Sequence, residues 1–169
     1  MITVEIMGGL GNQLFQIFAV IAYSLTNKIP FYFEKKKPTR SDRPFYWENF
    51  MLSLKPYLRE KYDTNLPIYR EQSYHYTAIP QFTHINKPFK LFGYFQSYKY
   101  FQNNLKEILD LLKWHEINQP YENKYDYKNT VSLHFRIGDY INLQTYHPIL
   151  SIDYYINTLD KLIVDTNKN

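Results

Sequence analysis

Three short runs of this chain combine residue types suited to chemistry. Late in the sequence, His134, Arg136 and Asp139 fall within the run VSLHFRIGDY, behind the apolar positions Val131, Leu133 and Phe135. Alternation there predicts a strand over Thr130–Phe135, which would place His134 and Arg136 on one face. A guanidinium at a strand end can grip two phosphate oxygens with charge and geometry both favourable. Gly138 would let the chain bend where a phosphate approaches. Asp139 would orient Arg136 or accept from a sugar hydroxyl; an Arg136–Asp139 ion pair with His134 satisfied in the core explains the same spacing equally well.

The second run is Gly8-Gly9-Leu10-Gly11-Asn12-Gln13, between a predicted strand and a predicted helix. Glycines allow close backbone approach. The helix N-terminus behind them offers unpaired N–H groups and partial positive charge. The Asn12 and Gln13 amides can donate and accept toward hydroxyls. The dinucleotide fingerprint fails because Leu14 stands where its third glycine belongs, and no phosphate-loop Lys-Ser/Thr follows. Taken alone, the run also reads as a tight strand-to-helix turn. The third run, Gly93-Tyr94-Phe95-Gln96-Ser97, ends a predicted strand. Tyr94 and Gln96 suit a sugar, and an ordinary strand end with Ser97 as helix cap suits it too.

The elements that must position these residues read as α/β. Ile2–Met7 is a predicted strand, residues 12–27 a helix with apolar positions at Leu14, Ile17, Phe18, Ile21 and Leu25, and Ile29–Phe33 a second strand. That order predicts a parallel sheet. Between about 35 and 90, six prolines interrupt every period. A short helix over Trp47–Leu54, a strand or hairpin arm over Tyr69–Ile79 and a strand over Phe89–Phe95 are the readings there. A helix is expected from Tyr98 to about Trp114, a linker over Asn118–Asn129, and a final helix from Ser151 or Asp153 to about Val164.

Composition narrows the classes. The chain has 169 residues, 44% of them hydrophobic, which supports one domain or one and part of another and argues against disorder. Eighteen Tyr and 12 Phe suit sugar-stacking surfaces, and a coding bias toward Tyr, Asn and Lys explains them as well. A net charge of +4 favours anionic ligands. The basic run Lys35-Lys36-Lys37 with Arg40 and Arg43 reads as a solvated loop, so no nucleic-acid partner is expected. There is no Cys, which excludes disulfides and thiolate chemistry. The histidines His75, His84, His115, His134 and His147 lack the short spacing of a zinc enzyme, so no metal is expected. No targeting segment is read at the N-terminus, and Leu14–Leu25 is too short to span a bilayer. A cytoplasmic protein, or one peripheral on the cytoplasmic membrane face, is the expectation.

Four blocks in order, GGLGNQLFQ (Gly8–Gln16), GYFQSYKYF (Gly93–Phe101), HFRIGDY (His134–Tyr140) and HPILSIDYY (His147–Tyr155), resemble the α-1,2-fucosyltransferases of glycosyltransferase family 11. The resemblance implies a GT-B-like pair of Rossmann-type layers, GDP-fucose as donor, a β-galactoside-type acceptor, inversion at the anomeric carbon and no required metal or other cofactor. By that resemblance Arg136, from the H-x-R pair His134 and Arg136, holds the β-phosphate as the bond to fucose breaks. The resemblance puts Gly8, Gly9, Gly11, Asn12 and Gln13 at the donor, Tyr94 and Gln96 at the acceptor, and Asp139 beside Arg136. His134, Asp139 and Glu5 are the nearest guesses for a base. It also implies further strands beyond Asn169. Residues 1–125 would then be the acceptor-side domain and 126–169 an incomplete start of the donor domain, whose open sheet edge would take a second copy or a complementing chain. The competing readings are a non-catalytic glycan-binding module and a remnant acting in an assembly.

Overall fold

The structure is a computed structural model that describes residues 1–35, 43–60, 65–82 and 87–166, the side chains of Asp139 and Thr166 excepted. His84 and most of the basic run, Lys36, Lys37 and Arg40, lie outside the described residues. The chain divides into two units, Met1–Glu122 and Asn123–Asn169.

The first unit is mixed α/β around a small parallel sheet. Strand β1 (Ile2–Val4) is buried along its whole length, Thr3 included, as a central parallel strand covered on both faces must be. Helix α1 (Leu10–Asn27) lays Ile17, Val20 and Ile21 on the sheet, all fully buried. It ends where Lys28 turns left-handed at φ 52° and Ile29 N–H reaches back to the Ser24 carbonyl at 3.1 Å. Beyond it come β2 (Phe33–Glu34), β3 (Leu58–Arg59), β4 (Ile68–Arg70) and β5 (Phe89–Phe92). Strand β5 pairs parallel with β1 on one side and β4 on the other, with Ile2 opposite Phe89 and Ile68 opposite Lys90. Strand β2 pairs parallel with β3, and a parallel bridge from Phe31 to Ile2 joins that pair to β1. The spatial order is therefore β3-β2-β1-β5-β4. The chain leaves β1 in one direction and returns on its other side, which makes the β1–β5 boundary the switch point of the sheet.

A buried ion triad ties three strands together. Lys90 Nζ on β5 lies 2.7 Å from Glu34 Oε1 on β2 and 3.3 Å from Glu5 Oε2 after β1. Burial pulls the Lys90 ammonium down, but Glu34 and then Glu5 outweigh it and hold it above its ordinary value.

Several expectations need correction. The segment from Trp47 is a turn followed by a 3-10 turn over Leu52–Tyr57, with Pro56 inside it. The helix expected from Tyr98 to Trp114 is broken into 3-10 turns at Tyr98–Tyr100 and Gln102–Asn104, then α2 (Leu105–Leu112) and α3 (Trp114–Asn118). Phe101, at φ −138°, interrupts it early, and Lys113, left-handed at φ 56°, ends α2. The expected linker begins inside α3 and continues as a 3-10 turn over Gln119–Tyr121.

The second unit carries helix α4 (Ile152–Thr166), close to the expected span. The strand expected over Thr130–Phe135 does not form. A strand is stable only when its N–H and C=O groups pair with a neighbour. Among the described residues this unit has no other strand to offer, and Val131, Leu133 and Phe135 stay exposed. No helix among the described residues is long and apolar enough to cross a membrane.

Candidate functional site

The carboxyl ends of β1, β5 and β4 converge at the switch point, where open α/β sheets bind ligands. After β1 the chain turns at Gly8, whose φ of +80° an L side chain rarely adopts. A Cβ there would sit 2.5 Å from Asn12 Nδ2. Helix α1 then starts with Gly9 as N-cap, without a side-chain cap and without an acidic residue in its first turn. Its first N–H groups therefore keep their positive potential for a ligand. Asn12 Oδ1 accepts from Gln96 Nε2 at 2.6 Å, so the first two motif blocks, 84 residues apart, meet across the crevice.

Gln13, expected at the ligand, turns inward instead. It is buried, and its Nε2 donates to the carbonyls of Gly8 and Pro44, both at 2.9 Å. Gln16, also buried, accepts from Met7 N–H at 3.0 Å. These two amides hold the turn from beneath.

On the β5 side, Glu71 governs the loop Gly93–Gln96. Its Oε2 accepts from the backbone N–H groups of Tyr94 (2.8 Å) and Phe95 (2.9 Å), and its Oε1 accepts from the Tyr100 hydroxyl at 3.3 Å. Phe95 is left-handed at φ 52° and fully buried, so two successive N–H groups face one carboxylate, the geometry of an anion-binding nest. Gly93 packs so closely on this brace that a Cβ would overlap Glu71. Burial raises the Tyr100 phenol above its ordinary value; a hydrogen bond from Thr77 N–H opposes this and Glu71 adds to it. Ser97 caps the following turn, as expected, by accepting from Lys99 N–H.

A cavity of about 290 Å³ opens here, lined by Met7, Glu71, Ser73, Tyr74, Gly93 and Tyr94. Tyr74 stands 87% exposed at its edge. Sequence reasoning missed Glu71 and Tyr74, because a strand arm read over Tyr69–Ile79 hides the strand end at Arg70. The polar run Arg70-Glu71-Gln72-Ser73 behind an apolar stretch was the available signal. Glu5, one of the guesses for a base, is held in the Lys90 triad.

In the second unit the other two blocks meet each other. The Arg136 guanidinium lies 4.6 Å from the Tyr140 ring centre, and Tyr140 stacks on His147 at 4.6 Å. The Phe135 and Tyr155 rings are 4.3 Å apart, and the Tyr155 hydroxyl donates to the His134 carbonyl at 3.3 Å. Without a strand, the shared face expected for His134 and Arg136 has no ladder to set it. A 3-10 turn over Gly138–Asn142 follows Arg136 directly. The Asp139 side chain lies outside the described residues. Among the described residues no three His, Asp or Glu side chains cluster as a metal would require.

Comparison with models of protein families, with curated proteins and with solved structures found no match.

Proposed function

We propose that the chain is a fucosyltransferase-like enzyme of GT-B-like architecture, moving fucose from GDP-fucose to the 2-hydroxyl of a β-galactoside-type acceptor. The observation that carries the reading is the Asn12–Gln96 hydrogen bond, because it joins two separate motif blocks at the edge of a parallel sheet where ligands bind. The meeting of the other two blocks at Arg136, Tyr140 and His147 supports it further.

The proposed reaction is a single displacement. The acceptor oxygen attacks the anomeric carbon from the face opposite GDP, and the carbon–oxygen bond to the β-phosphate breaks. The electron pair goes to the phosphate oxygen and the hydroxyl proton to a base, with His134 and Asp139 in reach by motif position. Arg136 and the uncapped start of α1 supply positive charge to the leaving diphosphate. Such stabilisation is worth about 3–4 kcal/mol per donor in comparable sites. Incubation with GDP-fucose and a panel of β-galactosides tests the proposal by GDP release and product mass. Released GDP with a product heavier by one deoxyhexose is expected; no GDP and no product would overturn it. A second reading, a glycan-binding module without catalysis, is favoured by the exposed Tyr74 ring at the cavity edge, and acceptor binding without GDP release would select it.

A further inference from the structure

A second cavity, of about 200 Å³, opens in the first unit between α1, the segment around Tyr76–Gln81 and the 3-10 turns that follow Ser97. At about 30 Å³ per water it holds about six or seven waters, room for one sugar ring. The chemistry of its wall is specific. Four side-chain amides line it, those of Asn27, Gln81, Asn103 and Asn104. Each amide presents a donor and an acceptor side by side, the complement of vicinal hydroxyls. No carboxylate lines it, which removes the usual ligands of a hard cation. Its one cation, Lys99, sits 5.8 Å from the Tyr76 ring centre rather than within a cluster that would draw a phosphate.

The floor is apolar and recessed because Ala19 and Ala22 of α1 are small and buried, and Ala78 faces them from the loop side of the wall. Tyr76, 42% exposed, meets Tyr100 edge-on at 4.8 Å and leaves ring surface for the C–H face of a pyranose. The geometry points to a binding site for a neutral saccharide in this cavity, apart from the crevice at the carboxyl ends of β1 and β5. The site does not rest on sugar transfer. Tyr100 lines it and also donates to Glu71, so occupancy would be felt at the brace of the Gly93–Gln96 loop.

The test is a titration of the full ¹⁵N-labelled chain with the methyl glycosides of glucose, galactose, mannose and N-acetylglucosamine, and with inorganic phosphate as the anionic comparison. The Gln81 and Asn103 side-chain amides are expected to shift saturably with at least one glycoside, at the millimolar affinity of an open site, and not with phosphate. Ala78→Trp, at an exposed position, should abolish the shifts. Asn103→Ala should weaken binding about three- to tenfold, the loss of one or two neutral hydrogen bonds. Three results would each overturn the inference: no shift with any glycoside, shifts confined to Tyr94 and Gln96, or tighter binding of phosphate than of every glycoside. Protection by GDP is read separately, so either reading can fail without the other.

Discussion

The three glycines of the N-terminal turn make different demands, and replacing each in turn tests the geometry of the crevice. Gly8 is the only one of the three at positive φ, +80°, and its added Cβ would meet Asn12 Nδ2 at 2.5 Å and Asn12 Cβ at 3.0 Å. The amide end can swing away, but the Cβ is fixed by the helix. Gly8→Ala thus costs about 1–2 kcal/mol for the backbone alone. Displacing Asn12 from Gln96 adds about 0.5–1 kcal/mol for an exposed hydrogen bond. The sum, about 2 kcal/mol, lowers Tm by about 4–8 °C in a chain of this size. Around Gly9 and Gly11 an added Cβ would meet nothing within 4 Å. Gly11 lies inside α1, so Gly11→Ala should stabilise by about 0.5–1 kcal/mol. Gly9 is an N-cap with extended backbone, so Gly9→Ser should be neutral or slightly stabilising. Thermal melts of the three variants, with the Gln96 side-chain amide followed by NMR, decide the matter. A Gly8→Ala protein as stable as the parent with its Gln96 resonance unmoved, or a Gly11→Ala protein that loses stability, would refute the reasoning.

Glu71→Ala leaves the Tyr94 and Phe95 N–H groups without their acceptor and should cost about 1–3 kcal/mol, with the Gly93–Gln96 amides losing protection in hydrogen exchange; unchanged protection would speak against the brace. Glu34→Leu leaves buried Lys90 with Glu5 alone and should cost about 3 kcal/mol by chemical denaturation, whereas a cost under about 1 kcal/mol would mean the triad is not coupled. Burial holds the phenols of Tyr23, Tyr69 and Tyr100 above their ordinary 10.0, and Lys90 is held above 10.5, so the native state keeps these protons longer than the unfolded state. Their stability contribution is whole below about pH 10 and is lost as pH rises beyond it, so Tm should be flat to about pH 9.5 and then fall; a rise over that limb would reverse the sign.

Much of the first unit is legible because its signals are local and agree. Ile2 and Val4 are β-branched and apolar, Gly8 and Gly9 interrupt, and the period of Ile17, Phe18 and Ile21 defines α1. Phe89 and Leu91 point to β5 in the same way. What stays hidden depends on partners distant in sequence. Lys113 carries no turn signature, and only the packing of α2 shows why the chain bends there. Glu71 looks like one polar residue among several until β4 ends before it and the Gly93 loop arrives. The Gln13 amide looks suited to a ligand until Pro44, 31 residues on, offers its carbonyl. Val131–Phe135 has the alternation of a strand, but pairing requires a neighbour, and alternation says nothing about whether one is present.

The central claim is that a nucleoside diphosphate binds through Arg136 and the uncapped start of α1. It is tested most directly by melting the protein with and without GDP. At 100 times Kd, GDP should stabilise by about 2.7 kcal/mol and raise Tm by about 5–11 °C, and Arg136→Ala should remove that rise while leaving the melt without GDP unchanged. Equal melting at millimolar GDP, or full protection retained in Arg136→Ala, would contradict it.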